Sequence, residues 1–189
     1  MSTTIDEILE KIQSLEKDLE RAFEAKRAQF HYHLDRRAVR FEKEALVRQR
    51  ALKQGLLRFW RMSGGLNFIT SPVIYALVVP LVLLDLSLTV YQFVCFPIYK
   101  IRKVPRGDFI VFDRHHLAYL NAVEKLNCAF CSYANGVIAY GREIASRTEE
   151  RWCPIKHAQK VRGVHRRYYQ FDDYGDGESF RKREDHNGG

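Results

Sequence analysis

Three cysteines and one histidine in the second half of the chain have the spacing of a metal site. Cys128 and Cys131 are three residues apart, and Cys153 and His157 complete the pattern C-x2-C-x21-C-x3-H. Residues three or four apart share one face of a helix, so the pattern predicts two pairs of ligands on two neighbouring helices. Three thiolates and one imidazole fill the tetrahedral shell of a structural zinc ion.

Other chemistry is open to the same residue types. An iron–sulfur cluster with one His ligand would use the same atoms, and Cys153 followed by Pro154 resembles the short Cys-Pro motif at which a thiolate ligates haem. A dithiol redox pair is a further interpretation, although such a pair is typical of a helix start after a strand. Free cysteines with no chemical role are also common in protein cores.

Two helices are predicted to position these ligands. Asp113 is a candidate N-cap for a helix that continues to residue 151 and carries the first cysteine pair. Pro154 suits the first turn of a second helix with Cys153 as its N-cap. Asn127 and Asn135 flank the first pair, and we expect them to donate hydrogen bonds to the sulfurs. The result would be a C-terminal helical hairpin.

An apolar run precedes this cysteine domain. From Phe68 to Tyr99 the only charged residue is Asp85, whereas a bilayer core of about 30 Å needs only about 20 helical residues. The run predicts either one tilted transmembrane span or a re-entrant hairpin that bends between Pro80 and Asp85, because its two halves are too short to cross alone. Asp85 would then lie at the hairpin tip or against an intramembrane partner.

Basic residues flank the apolar run equally, with five on each side. Lys and Arg beside membrane segments favour the cytoplasm, so the tie slightly favours the hairpin, which keeps both flanks inside. No nucleic-acid recognition motif accompanies these residues. They are Arg48, Arg50, Lys53, Arg58 and Arg61 upstream and Lys100, Arg102, Lys103, Arg106 and Arg114 downstream. All of them except Arg106 and Arg114 are predicted to lie at the membrane surface and to attract anionic lipid headgroups.

The N-terminal arm carries a heptad pattern. Apolar residues recur at alternating steps of three and four, and neither Pro nor Gly occurs before Gly55, so one long helix is predicted. Such a pattern is typical of a coiled coil, formed by self-association or with a partner helix through residues 5–22. The alternative is packing against the protein's own C-terminal half. The pattern consists of Ile5, Ile8, Ile12, Leu15, Leu19 and Ala22.

Composition and patterning together predict an all-α protein in four parts. The 189 residues include 46% hydrophobic side chains and a formal net charge of +8, which excludes a wholly disordered or collagen-like chain. The parts are an amphipathic or coiled-coil arm (1–62), a membrane segment (63–103), a helical Cys/His domain (104–168) and a flexible tail (169–189).

The segments NCAFCSYANG and RWCPIKHA resemble a family of uncharacterised bacterial membrane-associated proteins, over roughly residues 68–168. The resemblance implies a bacterial inner membrane and no particular activity. The basic flanks and the reduced thiols predict cytoplasmic soluble parts. Because no Walker loop, GxSxG, HExxH, kinase set or GxGxxG is present, the sequence favours a membrane-tethered scaffold or interaction protein over an enzyme. The alternative is a membrane-bound redox, haem or iron–sulfur protein.

Overall fold

The computed structural model of this chain describes residues 3–35, 38–55 and 69–187. Most of these residues are helical, and the strands among them form one short hairpin, so the predicted all-α class is confirmed. The chain divides into two compact units. The first comprises the described residues of 1–63 together with 113–126, and the second those of 64–112 together with 127–189.

The N-terminal part of the first unit has two helices around a strand pair. Helix α1 (Thr3–Gln29) covers the predicted heptad pattern. Strands β1 (Tyr32–Asp35) and β2 (Ala38–Phe41) follow, and α2 (Lys43–Ala51) comes next. The prediction of one uninterrupted helix through this arm is therefore wrong.

The hairpin has a local physical cause. Apolar and polar residues alternate along β1 and from Val39 to Phe41 in β2, which is the period of a strand rather than of a helix. The strands pair antiparallel with Tyr32 opposite Phe41, and the two rings lie 5.4 Å apart between centroids. Cross-strand aromatic packing of this kind stabilises a hairpin. His31, just before β1, ends the helical path with a φ of 52°.

The longest helix of the chain's second half is α4 (Ala122–Trp152), which follows the apolar helix α3 described below. It begins later than predicted, because Asn121 caps it. The Asn121 side-chain oxygen accepts hydrogen bonds from the backbone N–H groups of Val123 and Glu124, each 3.0 Å, while Glu124 accepts from the N–H of Asn121 at 2.8 Å. This reciprocal pair is a capping box. Asp113 precedes only a short 3-10 turn, so its prediction as the N-cap of the long helix is wrong.

The apolar run of the second unit is one helical segment. Residues 69–76 are helical, Leu77 makes a turn, and α3 (Val78–Ile98) follows, which together give 30 residues from Ile69 to Ile98. Pro80 lies in the first turn of α3, where an N–H has no helical partner. The chain does not reverse between Pro80 and Asp85, so the predicted re-entrant hairpin does not form.

Helices α3 and α4 run parallel to each other within the second unit. The Tyr75 hydroxyl donates to Asn127 near the start of both helices, and the rings of Tyr99 and Trp152 lie 4.9 Å apart at their ends. Parallel helices require a connection that returns along them. Residues Tyr99–Phe112, here called the connector, make this return, because their contacts move back along α3 from Phe96 to Asp85.

The core of the second unit lies where α3, α4 and the connector meet. Phe96, Val104, Tyr140 and Ile144 are at most 2% exposed and form one cluster. Aliphatic and aromatic side chains from three segments therefore fix the position of the connector against both helices.

The chain after α4 does not form the predicted second helix. Pro154 precedes a strand-like bridge in which Ile155 pairs in parallel with Asp172, because the backbone of Pro154 and Lys156 bonds to Asp172 at 2.8 Å each. The predicted C-terminal helical hairpin is therefore wrong. The tail, predicted to be flexible, contains α5 (Gly177–Asn187), and Arg183 joins this helix to Asp172 through an ion pair of 2.7 Å.

Candidate functional site on the apolar helix

The predicted metal ligands are not brought together. Cys128 and Cys131 lie in the first half of α4, and Cys153 follows its last residue. With a rise of about 1.5 Å per residue, Cys131 and Cys153 are about 33 Å apart along the helix axis. Zinc–sulfur bonds are about 2.3 Å long, so one chain in this arrangement cannot hold a zinc ion or an iron–sulfur cluster with all four residues. Among the described residues, no group of three or more His, Cys, Asp or Glu has a metal-site arrangement.

Three of the four predicted ligands, Cys131, Cys153 and His157, lie at the surface, and Cys128 is half-buried. All four cysteines are free, and both Cys131 and Cys153 are exposed. The His157 ring stacks on Tyr168, with centroids 6.2 Å apart and planes 19° from parallel. His157 also donates its backbone N–H to the Tyr168 hydroxyl at 2.7 Å.

The two asparagines beside the first cysteine pair bond elsewhere. The side chain of Asn135 donates to the backbone carbonyl of Cys131 at 2.9 Å. The side chain of Asn127 accepts from the Tyr75 hydroxyl. Asn127 therefore joins α4 to the apolar segment, whereas Asn135 bonds within its own helix, and both differ from the predicted bonds to sulfur.

Asp85 forms a polar cluster in the middle of the apolar segment. It is 8% exposed, and its carboxylate accepts from Arg106 Nε at 3.0 Å and from Arg106 Nη2 at 2.6 Å. The Tyr133 hydroxyl on α4 donates to the same carboxylate at 3.0 Å. Asp85 does not lie at a hairpin tip, and its charged partner is a connector arginine. An intramembrane setting for this pair stays a prediction.

Gln92 is a second buried polar side chain on the same face of α3. Its Oε1 atom accepts from the backbone N–H of Val104 at 2.9 Å, its Nε2 donates to the Val104 carbonyl at 3.3 Å, and it also bonds to the Tyr140 hydroxyl. The amide thus satisfies connector backbone that no helix or sheet pairs. The sequence contained a signal for this role, because Gln92 lies seven residues after Asp85 and therefore on the same helix face.

The rest of the circumference of the apolar segment is exposed. Only 6% of its most apolar window is buried inside the chain, and Val73, Leu86 and Phe93 are 60 to 70% exposed. Soluble monomers rarely expose an apolar patch larger than a few hundred Å². By length and composition, this helix is long and apolar enough to cross a membrane.

The predicted membrane-surface residues are partly within the described structure. Lys100, Arg102 and Lys103 follow α3 and are exposed, and Lys103 Nζ lies 4.5 Å from the centroid of the Phe93 ring. The upstream residues Arg48, Arg50 and Lys53 are exposed as well. Arg58 and Arg61 lie outside the described residues.

The apolar stripe of α1 is exposed in the first unit and is here called the seam. It consists of Ile8, Ile12, Leu15, Leu19 and Phe23. The side chains of Ile8, Leu15, Leu19 and Phe23 are 53 to 66% exposed, and that of Ile12 is 41% exposed. The helix predicted over residues 5–22 is confirmed. Its pairing with another helix stays a prediction.

Comparison with known proteins adds no relative to this picture. No protein-family model, no curated protein and no solved structure matches the chain. The functional interpretation therefore depends on the exposed apolar surfaces and the polar cluster described above.

Proposed function

We propose that this protein is a membrane-attached scaffold. The segment Ile69–Ile98 attaches it to the bilayer, and the seam on α1 pairs with a second helix. The observation that carries the proposal is the exposure of these two apolar surfaces, which nothing in the described chain covers. The proposed location is the cytoplasmic face of a bacterial inner membrane, which the basic flanks and the free cysteines support.

The energy available for membrane attachment is large. Fourteen large apolar side chains between Ile69 and Ile98 are exposed. Burying such a side chain fully contributes about 1.5 to 3 kcal/mol, so even partial burial of this set in lipid contributes on the order of 10 kcal/mol. The exposed basic residues after α3 add about 1 kcal/mol each near anionic lipid.

Pairing through the seam is proposed to join two copies of α1 in parallel. In the heptad frame that begins at Ile5, Lys11 and Glu16 take the g and e positions. A parallel dimer brings the g residue of one helix next to the following e residue of the other. Lys11 of each copy then lies beside Glu16 of the other, and the two opposite charges favour the parallel arrangement.

Retention in membranes after a carbonate wash tests the attachment. The triple variant Leu83→Lys, Leu86→Lys, Val90→Lys changes only exposed positions of α3, so we expect it to fold and to appear in the wash. A matched control adds the same charge at the exposed residues Ala158, Gln159 and Val161 and should stay with the membranes. Release of the unchanged protein by carbonate would contradict the proposal.

Disulfide trapping tests the seam. In a full-length background without native cysteines, Leu15→Cys lies at the centre of the proposed helix pair, and we expect it to give a dimer upon mild oxidation. Lys17→Cys lies on the outer face of α1 and serves as the control. Equal trapping at both positions, or none at Leu15→Cys, would count against self-association and leave a different partner helix as the occupant of the seam.

A further inference from the structure

We infer that Ile69–Ile98 lies along the membrane, immersed in one leaflet, and does not cross the bilayer. The inference rests on the proposed membrane attachment and specifies its orientation. Acyl chains of a single leaflet cover the exposed side of the segment, while α4 and the connector lie on its other side, toward headgroups and water.

The first reason is the way that protein covers the segment. Asp85, Gln92 and Phe96 are buried and recur at steps of seven and four, so they form one stripe along α3. Contacts with α4 follow this stripe from Tyr75 to Tyr99. One side of the segment is therefore protein over most of its length, and the remaining sides are apolar and exposed, which is the pattern of a helix half immersed lengthwise.

The second reason is the charge beside the middle of the segment. In a transmembrane span, Asp85 and its partner Arg106 would lie near the bilayer centre. The Arg106 side chain is still 45% exposed despite the ion pair, and Asp108 next to it on the connector is exposed as well. A charged side chain at the bilayer centre costs at least about 2.5 kcal/mol. In the lengthwise orientation, both side chains reach headgroups and water.

The third reason is the backbone of the connector. Tyr99–Phe112 is non-helical except for a 3-10 turn at Arg106–Asp108. Irregular backbone in contact with lipid does not occur in the hydrocarbon region, because its polar groups would lose their partners there. A span would place this connector at membrane depth. In the lengthwise orientation, only α3 contacts acyl chains, and a helix satisfies its own backbone.

The distribution of basic residues fits the same orientation. Five basic residues precede the apolar run and five follow it, and a segment that stays in one leaflet keeps both groups on one side. Lys103 lies beside Phe93, so its ammonium group reaches the headgroup level when the Phe93 ring is immersed. Anionic phosphate is the complementary group at this level.

Depth measurement by spin labelling tests the orientation. The labels are placed, one at a time, on Val79, Leu86 and Val94, which are exposed on one side of α3, and on Asn135, which is exposed on α4. The full chain, with native cysteines replaced, is bound to vesicles of phosphatidylethanolamine and phosphatidylglycerol. Collisions with oxygen and with a water-soluble nickel chelate report the depth of each label.

Val94 lies opposite the buried stripe of α3, so we expect its label to be at least as deep as those on Val79 and Leu86, and the Asn135 label to be accessible to the nickel chelate. In a span, Val79 and Leu86 would lie on either side of the midpoint of Ile69–Ile98, and Val94, about 12 Å beyond Leu86 along the axis, would be markedly shallower, with the Asn135 label in lipid. That result would overturn the inference. If the protein did not bind the vesicles at all, membrane attachment itself would fail, and the inference with it.

Labelling from one side of a membrane gives an independent readout. In sealed inverted vesicles, an impermeant maleimide should modify Lys53→Cys, upstream of the segment, and the native Cys153, downstream of it, to within twofold of each other. Modification of one residue and protection of the other until detergent is added would show a crossing and overturn the inference.

Discussion

Arg106 holds the carboxylate of Asp85 through both its Nε and Nη2 atoms, at 3.0 and 2.6 Å. The two residues are 21 positions apart, and the bond fastens the connector to the middle of an otherwise apolar helix. The Tyr133 hydroxyl adds a third bond to the same carboxylate. This cluster therefore joins α3, the connector and α4 at one point.

Removal of Arg106 should destabilise the fold. Arg106→Gln leaves the Asp85 carboxylate largely buried without its cation, which we expect to cost about 1 to 3 kcal/mol in the free energy of unfolding. Arg102→Gln, an exposed neighbour on the connector, serves as the control. The double variant Asp85→Leu, Arg106→Leu should recover most of the loss, because no charge is left unpaired. Denaturant unfolding in micelles measures these differences, and an unchanged midpoint for Arg106→Gln would contradict the role of the cluster.

Two glycines of α4 should respond differently to alanine. A Cβ at Gly136 would lie 2.8 Å from the Phe109 carbonyl oxygen and 3.0 Å from the Ile110 Cα, both fixed backbone atoms, whereas a Cβ at Gly141 would meet only the end of the Leu88 side chain at 2.9 Å.

Alanine within a helix is favoured over glycine by about 0.5 to 1 kcal/mol. We therefore expect Gly141→Ala to be near neutral, because Leu88 can move, and Gly136→Ala to lose about 1 to 3 kcal/mol through strain. The thermal midpoints of the two variants test this order. Equal midpoints would show that the connector does not pack tightly on α4.

The stability of the second unit should fall in acid because of Glu143. Burial raises the pKa of this carboxyl, but bonds from Arg167 at 2.9 Å and Arg147 at 2.8 Å together outweigh burial and hold the pKa below its usual value of 4.5. A carboxyl whose pKa is lower in the folded state stabilises the fold above its unfolded pKa. This stabilisation is lost as the pH falls from about 4.5 through the folded pKa.

Unfolding measured at pH values on both sides of the usual pKa of 4.5 tests this role of Glu143. Glu143→Gln should be less stable than the parent at pH 7, and its stability should change less below pH 4.5. The exposed Glu178, changed to Gln, is the control and should leave the profile unaltered. Identical acid profiles for Glu143→Gln and the parent would refute the assignment.

Replacement of Cys153 separates a structural metal site from an exposed thiol. Because Cys153 is exposed and about 33 Å along the axis from Cys131, we expect Cys153→Ser to change the free energy of unfolding by less than about 0.5 kcal/mol. A structural zinc ion would make the same change cost several kcal/mol. Thermal unfolding with zinc analysis of the full chain, with Cys131→Ser as the paired variant, distinguishes the two. One zinc per chain that is lost in both variants would restore the predicted site.

Local patterning was sufficient to predict several elements. The spacing between apolar side chains alternates between three and four residues from Ile5 to Ala22. This spacing predicted a helix, and α1 is that helix. The uncharged run predicted an apolar segment long enough for a bilayer. Spacing also placed Cys128 and Cys131 on one helix. These features follow from periodicity and composition, which act within a few turns of chain and need no distant contact.

Other features depended on competition between local signals and distant contacts. Pro154 suits a helix start, yet its backbone bonds to Asp172 instead, and this pairing removed the second helix on which the predicted zinc site depended. Asn121 with Glu124 three residues on has the spacing of a capping box, whereas Asp113 has no Glu or Gln at the matching position. The long helix begins directly after Asn121, where the two residues cap each other.

The packing around the apolar segment is the clearest case. The sequence by itself determined that Ile69–Ile98 is apolar and helical, because both properties belong to the residues of the segment. Only the tertiary structure decided that Arg106 would lie against Asp85 and that α4 would run parallel to α3. An isolated apolar helix can contact lipid on every side, whereas a helix packed on one side against charged segments can contact lipid only on its remaining sides. Which sides are free depends on tertiary packing, and the residue pattern within the segment does not contain that information.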